Sequence, residues 1–328
     1  MRALSLTQPT HFDWIDVAEP FPPGPGEATI AIRAIGICGT DLSGYLGKMP
    51  FIEYPRILGH ELGVEVLTVG EGVSHIRPGD HCSVEPYLNC AQCPPCLAGR
   101  TNCCEMLAVL GVHTDGGMTE RLTLPAHKLH PGGRLSFEQL ALVETLAIGC
   151  HAVQRTSVTS SDAVLIIGAG PIGLTVLEFA RLAGAQTTVL ELNAARRQFV
   201  EQHYPGTQTL DSAPTAPIAD AVFDATGNPS SMAAAFQHVH FGGRLTFVGI
   251  TKEPVLLDDP LFHRRELTLF ASRNALPSDF ARIIGLIESG QIDTCPWISH
   301  SLAFEDLPTQ METLVLPGSG VIKAVATL

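Results

Sequence analysis

The sequence has no uninterrupted apolar run that approaches the length of a membrane-spanning helix, and basic residues are scarce. Its 328 residues include 33 acidic but only 20 basic side chains, for a formal net charge of -13. This balance argues against nucleic acids and anionic membranes as main partners. Residues 1–6 also lack a long apolar segment and a small-residue cleavage site, so we expect no export signal and a cytoplasmic location.

The composition is that of a globular protein with two domains of ordinary size. Apolar residues make up 45% of the chain and charged residues 16%, which allows large buried cores. Residues 1–148 lack long helical periodicity and read as strands and loops with frequent proline and glycine. Within them, residues 28–34 and 63–69 are predicted strands.

The pattern changes in the second half of the chain, where short apolar runs alternate with helical stretches. This alternation predicts an α/β domain with a doubly wound parallel sheet over residues 149–274. The predicted strands are residues 163–167, 187–191, 221–225, 244–250 and 267–272. Residues 275–328 are too few for a separate domain, so we expect them to rejoin residues 1–148.

Four cysteines follow the spacing C-x2-C-x2-C-x7-C, and they are Cys90, Cys93, Cys96 and Cys104. Thiolates this close in sequence can converge on one tetrahedral ion with every coordination position filled, which predicts a structural metal site. The turn-rich stretch around them cannot build a core of its own, so metal binding would supply folding free energy. Disulfides and an iron–sulfur cluster are the alternatives, and the lack of a secretory context disfavours disulfides.

A glycine-rich turn joins the predicted strand 163–167 to a helical stretch. Gly168 allows a tight turn, Gly170 lets the backbone approach a pyrophosphate, and Gly173 lets the helix pack closely on the sheet. The turn also contains Pro171 and Ile172. Free N–H groups at the helix N-terminus would then bind the pyrophosphate of a dinucleotide. A glycine-rich turn that binds nothing is the alternative.

An acidic residue in the expected position sets the predicted cofactor. Glu191 lies about twenty residues beyond the turn, where it can accept hydrogen bonds from the adenosine ribose hydroxyls. Its charge would repel a 2′-phosphate, so NAD is predicted over NADP. Arg196 weakens this prediction slightly because an arginine near the loop can bind a phosphate, although an ordinary solvated helix charge explains it as well.

A second set of chemically active residues is scattered along the chain. Cys38 opens residues 38–41 (CGTD), and His60 and Glu61 are adjacent. Glu144 stands alone in an apolar stretch, where a carboxylate is costly to bury unless it is paired or binds a metal. From these residues alone, a joint metal site and ordinary structural roles stay equally open.

Taken together and in this order, the motifs resemble the zinc-dependent medium-chain alcohol and polyol dehydrogenases. The resemblance rests on residues 38–41, residues 59–61, the four cysteines, Glu144 and the glycine-rich turn, and it extends to residues 318–323. Glu144 in the last ligand position is similar to sorbitol dehydrogenase and to sugar-acid dehydrogenases. The resemblance implies a Rossmann cofactor domain and a mainly-β GroES-like catalytic domain with a structural zinc lobe.

The resemblance also implies roles for individual residues. The implied ligands or near-ligands of a catalytic zinc are Cys38, His60, Glu61 and Glu144. Asp41 would orient His60 through its other ring nitrogen. Thr40 would hydrogen-bond the substrate hydroxyl and pass on its proton. Beyond the glycine-rich turn, Glu191 and Arg196, the implied cofactor contacts are Thr226, Val248, Ser272, Asn274 and Lys323.

Three positions depart from the pattern of this family. Many relatives carry a histidine at the end of the proton relay, where this chain has Ser43. The glycine expected three residues after Glu61 comes early, as Gly63, so that Val64 occupies its place. Arg121 stands where relatives present an aromatic ring to the substrate, and a guanidinium there could bind a substrate carboxylate through two hydrogen bonds.

These features predict an NAD-linked, zinc-dependent oxidation of a secondary alcohol on a polyol or sugar acid, with a hexonate favoured because of Arg121. Two zinc ions are expected per chain, one catalytic and one structural. A threonine-type or simple alcohol or aldehyde dehydrogenase is the alternative within enzymes, and a non-catalytic NAD-binding relative is the alternative outside them. The partner is a small molecule, and relatives imply a homodimer or homotetramer.

Overall fold

Residues 1–316 and 318–328 are described by a computed structural model, and they fall into two units. The first unit comprises Met1–Thr145 and Leu276–Leu328, and the second comprises Leu146–Ala275. The predicted boundaries, after residues 148 and 274, differ from these by three residues and by one. Among the described residues, no helix combines the length and the apolar character that crossing a membrane requires.

The strands of the described residues are, in chain order, β1 (Arg2–Gln8), β2 (His11–Asp16), β3 (Glu27–Ile37), β4 (Arg56–Ile57), β5 (Glu61–Val69), β6 (His81–Val84), β7 (Tyr87–Leu88), β8 (Ala108–Val109), β9 (Arg121–Pro125), β10 (Leu129–Pro131), β11 (Ala163–Ile167), β12 (Gln186–Leu190), β13 (Gln208–Leu210), β14 (Ala219–Asp224), β15 (Val239–Phe247), β16 (Thr268–Ala271), β17 (Ile298–Ala303) and β18 (Lys323–Thr327).

The α-helices of the described residues are, in chain order, α1 (Gly39–Tyr45), α2 (Pro94–Leu97), α3 (Phe137–Thr156), α4 (Pro171–Leu182), α5 (Ala194–His203), α6 (Pro229–Ala235), α7 (Asp259–Arg264), α8 (Pro277–Glu288) and α9 (Leu307–Leu314). Short 3-10 turns follow several of these elements.

The first unit is built around a seven-stranded sheet with β3 at its centre. The strand order is β10-β6-β5-β3-β18-β17, and β9 also pairs with β3. Strand β3 is buried along nearly its whole length, because β5 pairs with most of the strand while β9 pairs with its first half and β18 with its second. The pairing of β18 with β3 places the last strand in the same sheet as the strands of residues 1–148. The sequence predicts that residues 275–328 rejoin that part of the chain.

The second unit is a parallel six-stranded sheet with helices between its strands. The strand order is β13-β12-β11-β14-β15-β16, and every neighbouring pair is parallel. The order reverses between β11 and β14, and ligands of such sheets bind in the crevice at that point. The prediction of a doubly wound α/β domain is therefore confirmed, and β11 covers the predicted residues 163–167.

Helix α3 corrects the expectation that residues 1–148 contain no long helix. It begins at Phe137, ends at Thr156 and runs across the boundary between the units. Residues 140–147 are all buried, so the helix has no polar face there and shows no one-sided pattern in the sequence. Helix α3 carries Glu144, which the sequence placed in an apolar stretch.

Gly63 explains one of the three departures from the family pattern. A side-chain Cβ at Gly63 would lie 1.9 Å from the carbonyl oxygen of Phe137, the first residue of α3. The neighbouring Val64 is fully buried in the core of the first unit. A glycine at position 63 therefore lets helix α3 start directly against strand β5.

We predict that Gly63→Ala destabilises the protein by about 1–3 kcal/mol, because the added methyl group must push the start of α3 away from β5. The measurement is the urea concentration at the midpoint of unfolding. Gly285→Ala is the matched control, since its Cβ would meet no atom within 4 Å and alanine favours a helix. An unchanged midpoint for Gly63→Ala would contradict the close approach.

Candidate active site

The ends of two neighbouring strands bring the first candidate metal ligands together. Cys38 follows β3 and caps the N-terminus of α1, where its backbone N–H donates to Asp41 Oδ2 at 2.9 Å. His60 directly precedes β5, and Glu61 is the first residue of that strand. One ligand atom from each of Cys38, His60 and Glu61 lies within 4.8 Å of the others, so these three residues form a cluster that we call the catalytic cluster.

The Glu61 carboxylate is fixed by a buried ion pair. Its oxygens accept hydrogen bonds from Lys323 Nζ at 2.6 and 2.7 Å. Burial alone would raise the pKa of Glu61, but the charges of Lys323 and His60 together with hydrogen bonds to the carboxylate outweigh it and lower the pKa. Gly36 faces Glu61 across the sheet, and a Cβ there would lie 2.2 Å from Glu61 Oε2, so the carboxylate occupies the space that this glycine leaves.

His60 lies beside Asp41, the residue that the resemblance implies would orient its ring. Its Nδ1 lies 3.7 Å from Asp41 Oδ1, is buried and has no hydrogen-bond partner among the described residues. Burial alone would lower the pKa of His60, but the charges of Asp41 and Cys38 outweigh it and raise the pKa well above its ordinary value. For Asp41 itself, burial raises the pKa against the opposing effect of His60.

Glu144 is close to the catalytic cluster but has its own partner. Its Oε1 accepts a hydrogen bond from the Tyr87 hydroxyl, and both side chains are buried. Burial raises the pKa of Glu144, while the charge of His60 acts in the opposite direction. The sequence did not single out Tyr87, because nothing in its local pattern indicates that it reaches a residue 57 positions away.

The residues of this site fit a zinc ion. Thiolate, imidazole and carboxylate are its usual ligands in proteins, and a catalytic zinc takes three protein ligands and leaves one position open. The buried carboxylates of Asp41, Glu61 and Glu144 lie in or beside this site, and they outnumber the single buried ammonium of Lys323. A divalent cation would supply further positive charge and favour the ionised carboxylates.

The four cysteines also converge as predicted. Their sulfur atoms all lie within 4.8 Å of one another, and the thiols of Cys93 and Cys104 are 3.8 Å apart. All four are free cysteines, which contradicts the disulfide alternative. A tetrahedron with Zn–S bonds of about 2.3 Å has edges of about 3.8 Å, so the spacing fits a single tetrahedral ion. Backbone N–H groups of Cys90 and Met106 donate to Cys104 Sγ, both at 3.3 Å.

Two further predicted residues lie on α1 beside Cys38. Thr40 is half-buried two residues beyond Cys38, in the first turn of the helix. Ser43 is half-buried one turn later, and its carbonyl oxygen accepts hydrogen bonds from Lys48 and Met49. Helix α1 therefore places both hydroxyl groups on the segment that carries Cys38.

The structure does not bring Arg121 to the catalytic cluster. Arg121 pairs with Ala31 in the register of β3, whereas Glu61 pairs with Gly36. Five residues of strand separate these positions, a distance of about 17 Å along the sheet. The Arg121 guanidinium is exposed and donates to Glu19 Oε2 at 2.8 Å. Its predicted contact with a substrate carboxylate is therefore not supported.

The glycine-rich turn of the second unit has the geometry that the sequence predicts. Gly168 has a positive φ of 95°, which favours glycine, and a Cβ at Gly173 would lie 1.8 Å from the Gly168 carbonyl oxygen. Gly170 caps helix α4, which starts with Pro171 and Ile172. The turn and the first residues of α4 therefore pack closely together. An anion can approach the free N–H groups at the N-terminus of this helix.

Glu191 is held in place beside this turn. Its carboxylate oxygens accept hydrogen bonds from the backbone N–H groups of Ala169 and Asn193, each at 2.8 Å. Arg196 Nη1 lies 3.9 Å from Glu191 Oε2, so this arginine is attracted to the carboxylate. Glu191 therefore has a fixed position next to the loop that would hold a pyrophosphate.

The remaining predicted cofactor residues divide between the units. Thr226, Val248 and Ser272 follow the carboxyl ends of β14, β15 and β16, at the edge of the sheet where such ligands bind. Among the described residues, Ser272 Oγ and Asn274 Nδ2 are buried without a hydrogen-bond partner. Lys323 lies in the first unit with Glu61, and its cofactor role stays a prediction that these contacts do not support.

A buried carboxylate that the sequence missed fixes Thr226. Asp224 Oδ1 accepts hydrogen bonds from the backbone N–H and the hydroxyl of Thr226, at 2.9 and 2.7 Å, and Asp224 Oδ2 accepts one from Ser231 at 2.6 Å. Asp224 ends strand β14, next to the point where the strand order reverses. An acidic residue at the end of a predicted parallel strand was the available signal.

Known proteins resemble this chain over its full length. The sequence matches the alcohol dehydrogenase GroES-like domain over residues 24–134 and the zinc-binding dehydrogenase domain over residues 171–289. It is 38% identical over 337 residues to L-galactonate-5-dehydrogenase of Escherichia coli (strain K12), covering 100% of this chain and 99% of that protein. It is 34% identical over 352 residues to L-arabinitol 4-dehydrogenase of Hypocrea jecorina, covering 98% and 92% of the two chains.

A solved structure agrees with these sequence relatives. The fold superposes with a TM-score of 0.92 on a crystal structure from E. coli CFT073, described as a short chain alcohol dehydrogenase complexed with the cofactor NADH. The two chains are 27% identical, and the match covers 100% of this chain and 99% of that one. With this fold, both domain matches and relatives of similar length, the chain belongs to the family of zinc-binding dehydrogenases with an alcohol dehydrogenase GroES-like domain.

Proposed function

We propose that this protein oxidises a secondary alcohol of a sugar acid or polyol to the ketone, reversibly, with zinc and NAD. The observation that carries the proposal is the convergence of Cys38, His60 and Glu61 beside a buried Glu144. The identity of 38% to an L-galactonate-5-dehydrogenase supports a substrate of the sugar-acid class. The hexonate preference now rests on that relative, because the position of Arg121 does not support it.

The catalytic zinc would be held by Cys38 and His60, with Glu61 and Glu144 as its carboxylate ligands or near-ligands. When bound, it supplies Lewis-acid polarisation of the substrate oxygen. Asp41 Oδ1 lies 3.7 Å from Nδ1 of His60, so Asp41 would attract that ring nitrogen and leave the other one for the zinc. The second zinc would be held by the four cysteines and would stabilise their lobe.

Residues of helix α1 would handle the proton of the substrate hydroxyl. Thr40 lies two residues from Cys38, and its hydroxyl can accept that hydrogen bond and donate onward. Ser43 lies one turn further along the helix, at the position where many relatives carry a relay histidine. A serine is not a base near neutral pH, so the proton would leave through hydroxyl groups and water.

The nicotinamide ring of NAD supplies the hydride acceptor when the cofactor is bound. The glycine-rich turn would bind its pyrophosphate at the N-terminus of α4. The fixed carboxylate of Glu191 would accept hydrogen bonds from the adenosine ribose. Arg196 lies near Glu191, so the carboxylate partly compensates the positive charge of Arg196. Arg196 is then less available to bind a 2′-phosphate, which supports NAD over NADP.

Assembly and location are further parts of the proposal. We infer a homodimer or homotetramer, because strand β16 forms an edge of the second unit's sheet and carries the exposed Leu269. A cytoplasmic location stays a prediction from the sequence. A threonine-type or simple alcohol substrate is the second candidate, which the substrate comparison below separates from the first.

We predict that the native protein holds two zinc ions per chain and that His60→Ala holds one. The variant should lose about a thousandfold in kcat/KM, since Lewis-acid polarisation is worth several kcal/mol. The measurements are metal content by elemental analysis and steady-state NAD reduction. His11→Ala is the control, because His11 is an exposed histidine of the same unit. Two retained zinc ions in His60→Ala would remove His60 from the metal site.

We predict that the native protein prefers NAD and that Glu191→Ser lowers kcat/KM for NAD by about 10- to 100-fold, the value of hydrogen bonds to a charged group. The value for NADP should fall less, because a repelling charge is removed at the same time. Glu201→Ser is the control, as Glu201 lies on the surface of α5 and bonds Thr209. A native preference for NADP would overturn the assignment of Glu191.

We predict that a hexonate gives a higher kcat/KM than the matching hexitol or threonine, and that Arg121→Met leaves this ratio within about twofold. The reason is that an exposed ion pair such as Arg121–Glu19 contributes little and lies far along the sheet. Preference for threonine or a simple alcohol would favour the second candidate function. A tenfold loss for the hexonate alone in Arg121→Met would restore this residue to the substrate site.

A further inference from the structure

The hydroxyl of Tyr87 is the polar group that fixes Glu144 beside the catalytic cluster. Glu144 is not one of the three residues whose ligand atoms lie within 4.8 Å, and its Oε1 accepts the Tyr87 hydrogen bond. A carboxylate held in this way has lost its rotamer freedom before a metal binds.

The ring of Tyr87 is packed so that its hydroxyl has a defined direction. Phe280 of helix α8 contacts the ring edge-on, with centroids 6.3 Å apart, and Phe280 also stacks on His130 at 4.9 Å. Tyr87 and Phe280 are both almost fully buried. Because an edge-to-face pair restricts the ring, small movements of the backbone at Tyr87 would be passed to the hydroxyl.

A buried lysine holds both ends of the short segment that carries Tyr87. We call residues 85–89 the bridging segment. Lys128 Nζ donates to Glu85 Oε1 at 2.5 Å and to Asn89 Oδ1 at 2.8 Å, and the Glu85 backbone N–H donates to the Lys128 carbonyl oxygen at 2.8 Å. Lys128 and Glu85 are only 2% and 1% exposed. The ammonium therefore fixes the segment on both sides of Tyr87.

The bridging segment also leads directly into the four-cysteine site. Asn89 Nδ2 donates to Cys96 Sγ at 3.7 Å, and Cys90 is the next residue along the chain. One short stretch thus contacts a side chain at each proposed metal site, Glu144 through Tyr87 at one and Cys96 through Asn89 at the other. Because the bridging segment contacts both sites, its position affects both of them.

Stability alone is a weak reason for this arrangement. Removing two charges from water costs several kcal/mol per ion, and apolar replacements of buried ion pairs are often neutral or stabilising. Buried polar contacts with satisfied partners instead specify one geometry. The Lys128–Glu85–Asn89 contacts therefore fit a role in holding the bridging segment in one register.

We propose that Tyr87 is a positioning residue that holds Glu144 at the catalytic metal, and that Lys128 fixes the bridging segment so that Tyr87 reaches it. This inference rests on the proposed function, because it assumes a metal at Cys38 and His60. Residues that orient metal ligands typically contribute 10- to 100-fold to metal affinity or activity. The contribution of Tyr87 should therefore appear in how tightly the catalytic zinc is held.

The first test is the rate at which zinc passes from the holoenzyme to a chromogenic chelator. The native protein should release two ions in two phases, and the phase that is missing in His60→Ala belongs to the catalytic site. Tyr87→Phe should accelerate that phase by about 10- to 100-fold and leave the other phase unchanged. The variant keeps the buried ring, so its melting temperature should stay close to the native one. Tyr204→Phe, the same change in the second unit, is the matched control.

The outcomes of this test separate the two proposals. A native release rate in Tyr87→Phe, with two phases present, overturns the positioning role and leaves the proposed function standing. Equal zinc release by the native protein and His60→Ala removes the catalytic metal, and with it both proposals. Acceleration of both phases to the same extent would show a general loosening of the unit and would also overturn the specific role of Tyr87.

The second test asks whether Lys128 acts through Tyr87. The variant Lys128→Met/Glu85→Gln removes the charges of Lys128 and Glu85 together, while a glutamine at position 85 keeps a polar group for His130 Nε2, which lies 3.2 Å from Glu85 Oε2. It should accelerate release of the catalytic zinc, and adding Tyr87→Phe should give no further acceleration, because both changes break the same contact. Lys252→Met/Glu253→Gln, an exposed pair in the second unit, is the control. Multiplicative effects of the two changes would overturn the proposed link.

Discussion

A buried ion pair between Lys323 and Glu61 sets the geometry on which the catalytic cluster depends. Both side chains are 1% exposed, and Lys323 Nζ contacts both carboxylate oxygens. Breaking such a pair on one side leaves an uncompensated buried charge, at a cost of roughly 3–5 kcal/mol. The register of β18 against β3 places Ala324 opposite Ile37, one residue before Cys38. Strand β18 therefore fixes Glu61 relative to Cys38, through the contact of Lys323 with Glu61 and the pairing of Ala324 with Ile37.

Local sequence patterns were enough to predict the second unit and the cluster of four cysteines. Buried parallel strands appear as short apolar runs, and the glycine-rich turn has steric requirements that only glycine meets at Gly168 and Gly173. The four cysteines are close in sequence, so their convergence needs little information from the rest of the fold. Cys38, His60 and Glu61 needed the family resemblance, because nothing local shows that β3 and β5 end side by side.

The parts that sequence reasoning missed depend on register and on burial from all sides. Helix α3 is buried over residues 140–147, so it gives no one-sided pattern although it carries Glu144. The contact of Tyr87 with Glu144 and the network around Lys128 join residues that are 57 and 43 positions apart. Arg121 was assigned to the substrate from its place in the chain, whereas the register of β9 on β3 directs it to Glu19.

We propose that one unit of this protein holds two zinc ions at two separate sets of side chains. Anomalous diffraction from crystals of the full chain, measured on both sides of the zinc absorption edge, tests it most directly. We expect two peaks in the first unit, one within bonding distance of Cys38 and His60 and one at the centre of Cys90, Cys93, Cys96 and Cys104. A crystal grown with excess zinc that shows a peak at the four cysteines and none at Cys38 would contradict it.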